Sequence, residues 1–239
     1  MRVLIFNGSY NEHGNTAHSI EYFMKGLKET VEVKEERIIN AARIQPNSCR
    51  GCLTCTKHEG IFCVQKDEIA ELIKEIPEYD IVIYAFPIYY YYMPGALKII
   101  LDRQLPYFDW DNGGLKASLK ENFDNKMVVC LVNCAGDDVV QCQNGSAPIK
   151  QTAASYNQRY KDIHITLCED DGLIARNTEK QEKLVAFGKE VGNEMKWFNK
   201  MIYSIPQTTF YSIKFFAHFS FLNVFSENNT NEINLLMIW

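Results

Sequence analysis

The stretch "RVLIFNGSYNEHGNT", residues 2 to 16, decides the fold. "VLIF" is apolar on both faces of an extended chain, which suits a strand covered on each side rather than one with a face in water. A polar loop carrying Gly8, Ser9 and Gly14 follows it, and an amphipathic segment begins at about Asn15. A second run of the same kind, "IVIY" within "DIVIYAF" (80 to 86), is also apolar on both faces.

Working outward, "VEVKEERII" (31 to 39), "KMVVCLVN" (126 to 133) and "IHITLC" (163 to 168) complete five expected strands. Residues 15–29, 67–76, 94–104, 147–158 and 178–201 carry helical periodicity between or after them. This alternation predicts an α/β fold with a doubly wound, parallel, five-stranded sheet and helices on both faces. Ligands of such sheets bind beyond the carboxyl ends of the strands, which directs attention to loops 7–16, 87–94 and 133–146.

The chain has 239 residues, enough for one domain of about 150 to 200 residues with an extension. The expected division is 1–204 for the α/β domain, with a cysteine-rich insertion at 47–66, and 205–239 for an aromatic tail suited to docking or subunit contact. A net charge of -5 offers no general attraction to nucleic acid or anionic membranes. The uncharged run from Phe215 to Ser226 is far short of the roughly 20 residues a transmembrane helix needs. The chain enters a strand at once without a secretory signal pattern, so a cytoplasmic location is expected. In that compartment, four of the eight cysteines packed into residues 49 to 63 point to metal or redox chemistry rather than to disulfides.

The opening loop leaves backbone N–H groups converging on the start of a helix, a place where phosphate binds. Asn15 stands where a P-loop has its lysine, and the tight Gly-x-Gly spacing of the dinucleotide fingerprint is missing. A single phosphate held by hydroxyls and amides fits better. An ordinary βα turn, capped by Asn15 or Thr16, has the same pattern. In "AFPIYYYYMPGALKIILDR" (85 to 103) four consecutive tyrosines follow a strand, and Pro94 opens a helix. They suit stacking against a planar ring, or packing at a sheet edge or subunit interface.

"NGSYNEHGNT" together with "PIYYYYMPGALKIILDR" resembles the NADPH-dependent FMN reductase superfamily of flavodoxin-like flavoproteins, over residues 1 to about 104. The resemblance implies that Ser9, Asn15 and Thr16 contact the FMN phosphate. It implies that Pro87, Ile88, Tyr89, Tyr90 and Met93 line the isoalloxazine, with Asn133, Cys134, Ala135 and Gly136 near the ring. Tyr91 and Tyr92 stand where the family has smaller residues. A homodimer or homotetramer is implied as well.

"CRGCLTCTKHEGIFC" sets Cys49, Cys52, Cys55 and Cys63 in a C-x2-C-x2-C-x7-C pattern. Two residues between thiols turn successive sulfurs toward one centre, which suits iron–sulfur ligation. Zinc, with His58 as a substitute ligand, and free redox-active or buried thiols are the alternatives. The spacing resembles that of the iron–sulfur flavoproteins, which implies a four-iron four-sulfur cluster on these four residues. Cys130, Cys142 and Cys168 read as core thiols.

The function expected is an FMN-dependent oxidoreductase that couples flavin to the cluster and exchanges electrons with NAD(P)H, a quinone, a flavin or ferredoxin. A cluster-free NAD(P)H-dependent FMN or quinone reductase and a non-enzymatic flavodoxin-type carrier are the alternatives. No side-chain general acid or base is named, because flavin carries the redox chemistry itself.

Overall fold

The computed structural model describes residues 1–204 apart from Ala42 and Gln45, with the backbone alone for 199 and 201–204. The expected tail, 205–239, lies outside the described residues. Five strands, β1 (Arg2–Asn7), β2 (Glu35–Asn40), β3 (Ile81–Pro87), β4 (Met127–Asn133) and β5 (Arg159–Ile165), form one parallel sheet in the order β2-β1-β3-β4-β5. The helices are α1 (Asn15–Lys28), α2 (Glu68–Glu75), α3 (Gly95–Asp102), α4 (Lys120–Phe123), α5 (Val139–Ser155) and α6 (Thr178–Ser204). Residues Met1–Lys196 make one compact unit. A second begins at Trp197, and its described part continues α6 with the Trp197 and Phe198 rings edge to face at 5.0 Å.

Because side chains alternate along a strand, each buried strand feeds two cores. Leu4, Phe6, Val82, Tyr84, Phe86, Val128, Cys130 and Val132 point to the layer of α2, α3 and α5. Val3, Ile5, Ile81, Ile83, Ala85, Val129 and Leu131 point to the layer of α1 and α6. The unbroken apolar runs of β1, β3 and β4 thus mark the middle of the sheet. The α1–α6 contact depends on glycine: a Cβ at Gly188 would lie 2.1 Å from the Phe23 carbonyl, and one at Gly26 would lie 2.0 Å from that of Val185.

Three boundaries depart from expectation. β2 begins at Glu35, four residues after the expected start. β5 spans 159–165, because an edge strand tolerates "RYKD", and it ends three residues before Cys168. α5 begins at Val139 rather than at residue 147: Asp138 caps it by accepting from the Val140 N–H, and Pro148 is carried inside the helix. The loop expected over 133–146 therefore shrinks to 134–138. Among the described residues no helix is long and apolar enough to cross a membrane.

Candidate functional site

The loops after β1, β3 and β4 leave from one edge of the sheet and are tied to one another at their origins. Gly8 N–H donates to Ala85 O at 2.8 Å, and Ile88 N–H donates to Asn133 O at 2.8 Å. A Cβ at Gly8 would meet Leu97 Cδ1 at 2.5 Å, so a larger residue just after β1 would have to displace the Leu97 side chain of α3.

The first loop is held by short side-chain-to-backbone bonds. Asn7 Oδ1 accepts from Ser9 N, Ser9 Oγ from Asn11 N, and Asn11 Oδ1 from His13 N, at 3.0, 3.1 and 2.9 Å. These bonds wrap the backbone toward the N-terminus of α1. Gly14 is the N-cap of that helix, makes no side-chain cap bond, and is followed by a first turn with no acidic residue. The first-turn amides and the positive end of the helix dipole are therefore open to an anion.

Thr16 and Ser9 are buried beside this terminus. Thr16 Oγ1 accepts from Asn133 Nδ2 at 3.2 Å, and Asn133 Oδ1 accepts from Ser19 Oγ at 2.9 Å, so the Thr16 hydroxyl proton is free to donate. Asn15 behaves otherwise. Its amide donates to Asp170 O at 2.7 Å and accepts from Ile174 N at 2.9 Å, which leaves only its backbone N–H for an anion. Loop 168–174 is thus a fourth wall of the site, with Asp171 accepting from Asn11 Nδ2 at 2.5 Å. Running β5 on to Cys168 hides this wall in the sequence, although the acidic "EDDG" of a post-strand loop is a usable signal.

After β3, Tyr89 and Tyr92 exchange backbone bonds of 2.9 and 3.2 Å across Tyr90 and Tyr91, whose φ values are 47° and 68°. Two successive left-handed residues make the tight hairpin normally built from Asn-Gly. Bulky residues there are strained. The turn thrusts Tyr90 (94% exposed) and Tyr91 (62% exposed) outward, with their rings 5.4 Å apart. Met93 is buried in the core, and Ile88 Cδ1 packs where a Cβ on Gly145 would stand, 2.6 Å away. Of the residues expected beside a ring, Pro87, Tyr89 and Tyr90 border the open edge, whereas Ile88 and Met93 direct their side chains inward.

In the third loop Asn133 and Cys134 are buried and Ala135 and Gly136 form the rim. Cys142 and Cys168 lie close to Cys134, and burial pushes their thiols up to about 12 and about 11. At neutral pH these are protonated and poorly nucleophilic.

The cysteine segment lies between β2 and α2. Cys49, Cys52, Cys55 and Cys63 line one cavity together with Gln65, Asp102, Arg103 and Leu105. Gly51 and Leu53, at φ 63° and 54°, reverse the chain between the first three thiols. Such turns aim backbone N–H groups into an anion-binding concavity. Lys116 clamps the far side, donating to the carbonyls of Cys55, His58 and Gly60 at 3.1, 2.6 and 3.3 Å. His58 stacks on Phe62, ring centroids 4.0 Å apart, and does not line the cavity. Among the described residues no three His, Cys, Asp or Glu side chains are grouped so as to hold a metal ion.

Arg103 closes the base of this cavity. Its guanidinium donates to both Asp67 oxygens at 2.9 and 2.8 Å and to Asn47 O at 2.9 Å. Asp67 also caps α2 by accepting from Ala70 N. The Arg103 bridge, above all, holds the Asp67 carboxyl down at about 2. Arg103 sits in the "LDR" of the tyrosine segment, yet nothing in the linear pattern connects it with the cysteines some fifty residues earlier.

Comparison with known proteins agrees with this architecture. Residues 1–144 match the family model of NADPH-dependent FMN reductase. An iron-sulfur flavoprotein of Archaeoglobus fulgidus is 33% identical over 130 residues, 54% of each chain. One of Methanocaldococcus jannaschii is 32% identical over 106 residues, 44% of this chain and 53% of the relative. The chain spans about half the length of the curated relatives it matches. Among solved structures, an FMN-dependent NADH-azoreductase from Bacillus anthracis in complex with FMN superposes with a TM-score of 0.61 at 12% identity, covering 80% of this chain and all of that one. An NAD(P)H:quinone oxidoreductase from Methanothermobacter marburgensis gives 0.57 at 13% identity, covering 82% and 97%. The solved structures share the fold, and the family match takes in β1, β3, β4, their three loops and the cysteine segment: the chain belongs to the NADPH-dependent FMN reductase family.

Proposed function

We propose that the chain is an NAD(P)H-dependent flavin oxidoreductase that seats FMN across the loops after β1, β3 and β4 and binds a four-iron four-sulfur cluster on Cys49, Cys52, Cys55 and Cys63. The observation that carries the flavin reading is the uncapped terminus of α1: Gly14 gives it no side-chain cap, its first turn has no acidic residue, and the neighbouring Asp171 carboxylate is engaged by Asn11 Nδ2. The Ser9 and Thr16 hydroxyls and the backbone amides of Asn15 and Thr16 would hold that phosphate. Pro87, Tyr89 and Tyr90 would flank the ring on one side, and Ala135 and Gly136 would approach it through backbone. Tyrosine supplies this wall with little loss of rotamer freedom, since it has only two side-chain torsions. Bound FMN supplies hydride acceptance and return of electrons singly or in pairs. The protein's own contribution is to orient the ring and shield one face.

The cluster reading is supported by four thiols around one cavity, left-handed turns between them, and two buried cations, Arg103 and Lys116, against the ligand loop. Cationic surroundings favour thiolate, the ligating form. A cluster-free NAD(P)H-dependent flavin or quinone reductase is the second reading, favoured by the lack of a grouped metal-ligand set among the described residues.

Anaerobic purification, a visible spectrum and analysis of iron and flavin test the pair. About four irons per chain with a broad band that dithionite bleaches, alongside one FMN, supports the full proposal. Flavin bands without iron select the second reading. Steady NADPH oxidation with free flavin or quinone as acceptor identifies a reductase, whereas its absence leaves only an electron carrier.

A further inference from the structure

Arg103 is 2% exposed, and its Nε is one of the few buried side-chain nitrogens left without a hydrogen-bond partner. Leaving such a donor bare is costly, and more so on a charged group. The other guanidinium contacts are made by NH1 and NH2 to Asn47 and Asp67, so the orphan is confined to the side turned away from Asp67. Arg103 lines the same cavity as the four thiols. Its charge is held mainly by the Asp67 bridge, with Cys63, in the same cavity, contributing further. The neighbouring cation differs: Lys116 has three N–H donors and places all of them on carbonyls, so it fixes the loop and acts on sulfur through its charge alone.

We propose that Arg103 is a positioning residue that tunes the thiolate centre, its unpartnered Nε–H available to the sulfur ligands when a cluster is bound and its buried charge facing whatever anionic group the four cysteines hold. This inference rests on the cluster reading above. A cluster ligated by four thiolates is anionic and gains one further negative charge on reduction. A fixed donor and a buried cation stabilise the more negative state, so they raise the reduction potential. Asp67 sets how much of that charge is felt, because it neutralises the guanidinium from the opposite side.

The test uses the full-length protein, reconstituted anaerobically with iron and sulfide, and compares the wild type with Arg103→Lys and Asp67→Asn. Each is assayed first for iron and flavin content and then by a redox titration followed in the visible and by electron paramagnetic resonance. Lysine keeps the charge and loses the forked donor. Its cluster potential is expected to fall by about 59 mV, a tenfold change in a one-electron equilibrium. Asparagine keeps the α2 cap while removing the opposing charge, and its cluster potential is expected to rise. It carries the test should the lysine variant fail to fold. Loaded clusters whose potentials match the wild type in the variants that fold overturn the inference while leaving the cluster reading intact. A wild type that takes up no iron overturns both.

Discussion

Gly14 and Thr16 do different work within three residues of each other. Gly14 itself brings no side-chain acceptor to the α1 terminus, and a Cβ there would approach Asp171 Oδ1 to 2.9 Å. Gly14→Asp puts a carboxylate where the phosphate is proposed to bind. FMN affinity is expected to drop on the order of a hundredfold, since like charges a few ångströms apart cost several kcal/mol even at a moderate dielectric. Calorimetric titration of FMN into the variant measures this. The Asp67–Arg103 pair yields a prediction in pH. The carboxyl is lowered from its ordinary 3.8 to about 2, mainly by Arg103. A depressed acid contributes stability that is complete above its unfolded value and is lost as pH falls through the folded one. About 2 kcal/mol should therefore disappear between roughly pH 4 and pH 2 in the wild type. Asp67→Asn should lack that component, as urea unfolding at pH 6, 3 and 2 will show.

Two elements carry opposed demands of packing and conformation. Gly188 sits inside α6, where alanine would ordinarily add up to about 1 kcal/mol of helix propensity. Here the added methyl meets the Phe23 carbonyl at 2.1 Å, so Gly188→Ala should destabilise by about 1 to 3 kcal/mol, read as a lower denaturant midpoint. The tyrosine hairpin shows the reverse. Tyr91→Gly relieves a left-handed residue and should raise stability by about 1 kcal/mol in thermal unfolding. Tyr90→Gly should bring a similar gain together with weaker FMN binding, since Tyr90 is proposed to flank the ring. If both substitutions stabilise and neither alters FMN binding, the hairpin serves a purpose other than stacking.

Across the whole molecule, the legible parts were those governed by local pattern. "VLIF" and "IVIY" are apolar on both faces, and they belong to β1 and β3, two of the three interior strands of the sheet order β2-β1-β3-β4-β5. Glycines and hydroxyls in 7–16 pointed to the open terminus of α1 for the same local reason. What escaped depends on distance in sequence. Asn15 looked available because its partners, Asp170 and Ile174, are more than 150 residues away. Arg103 reads as part of a helix end, and only folding brings it into the cavity lined by the cysteines. The helix expected over 147–158 starts eight residues earlier, because α5 carries Pro148 inside it and the Asp138 cap that begins it is one polar residue among several.

The claim on which the rest depends is that the strand ends β1, β3 and β4 seat one FMN with its phosphate on α1. Fluorescence titration of FMN with the flavin-free protein, run beside Gly14→Asp, tests it most directly. Saturation at one FMN per chain with altered flavin emission is expected in the wild type, and loss of that binding in the variant. Unaltered flavin emission in the wild type, or equal affinity in both proteins, would contradict it.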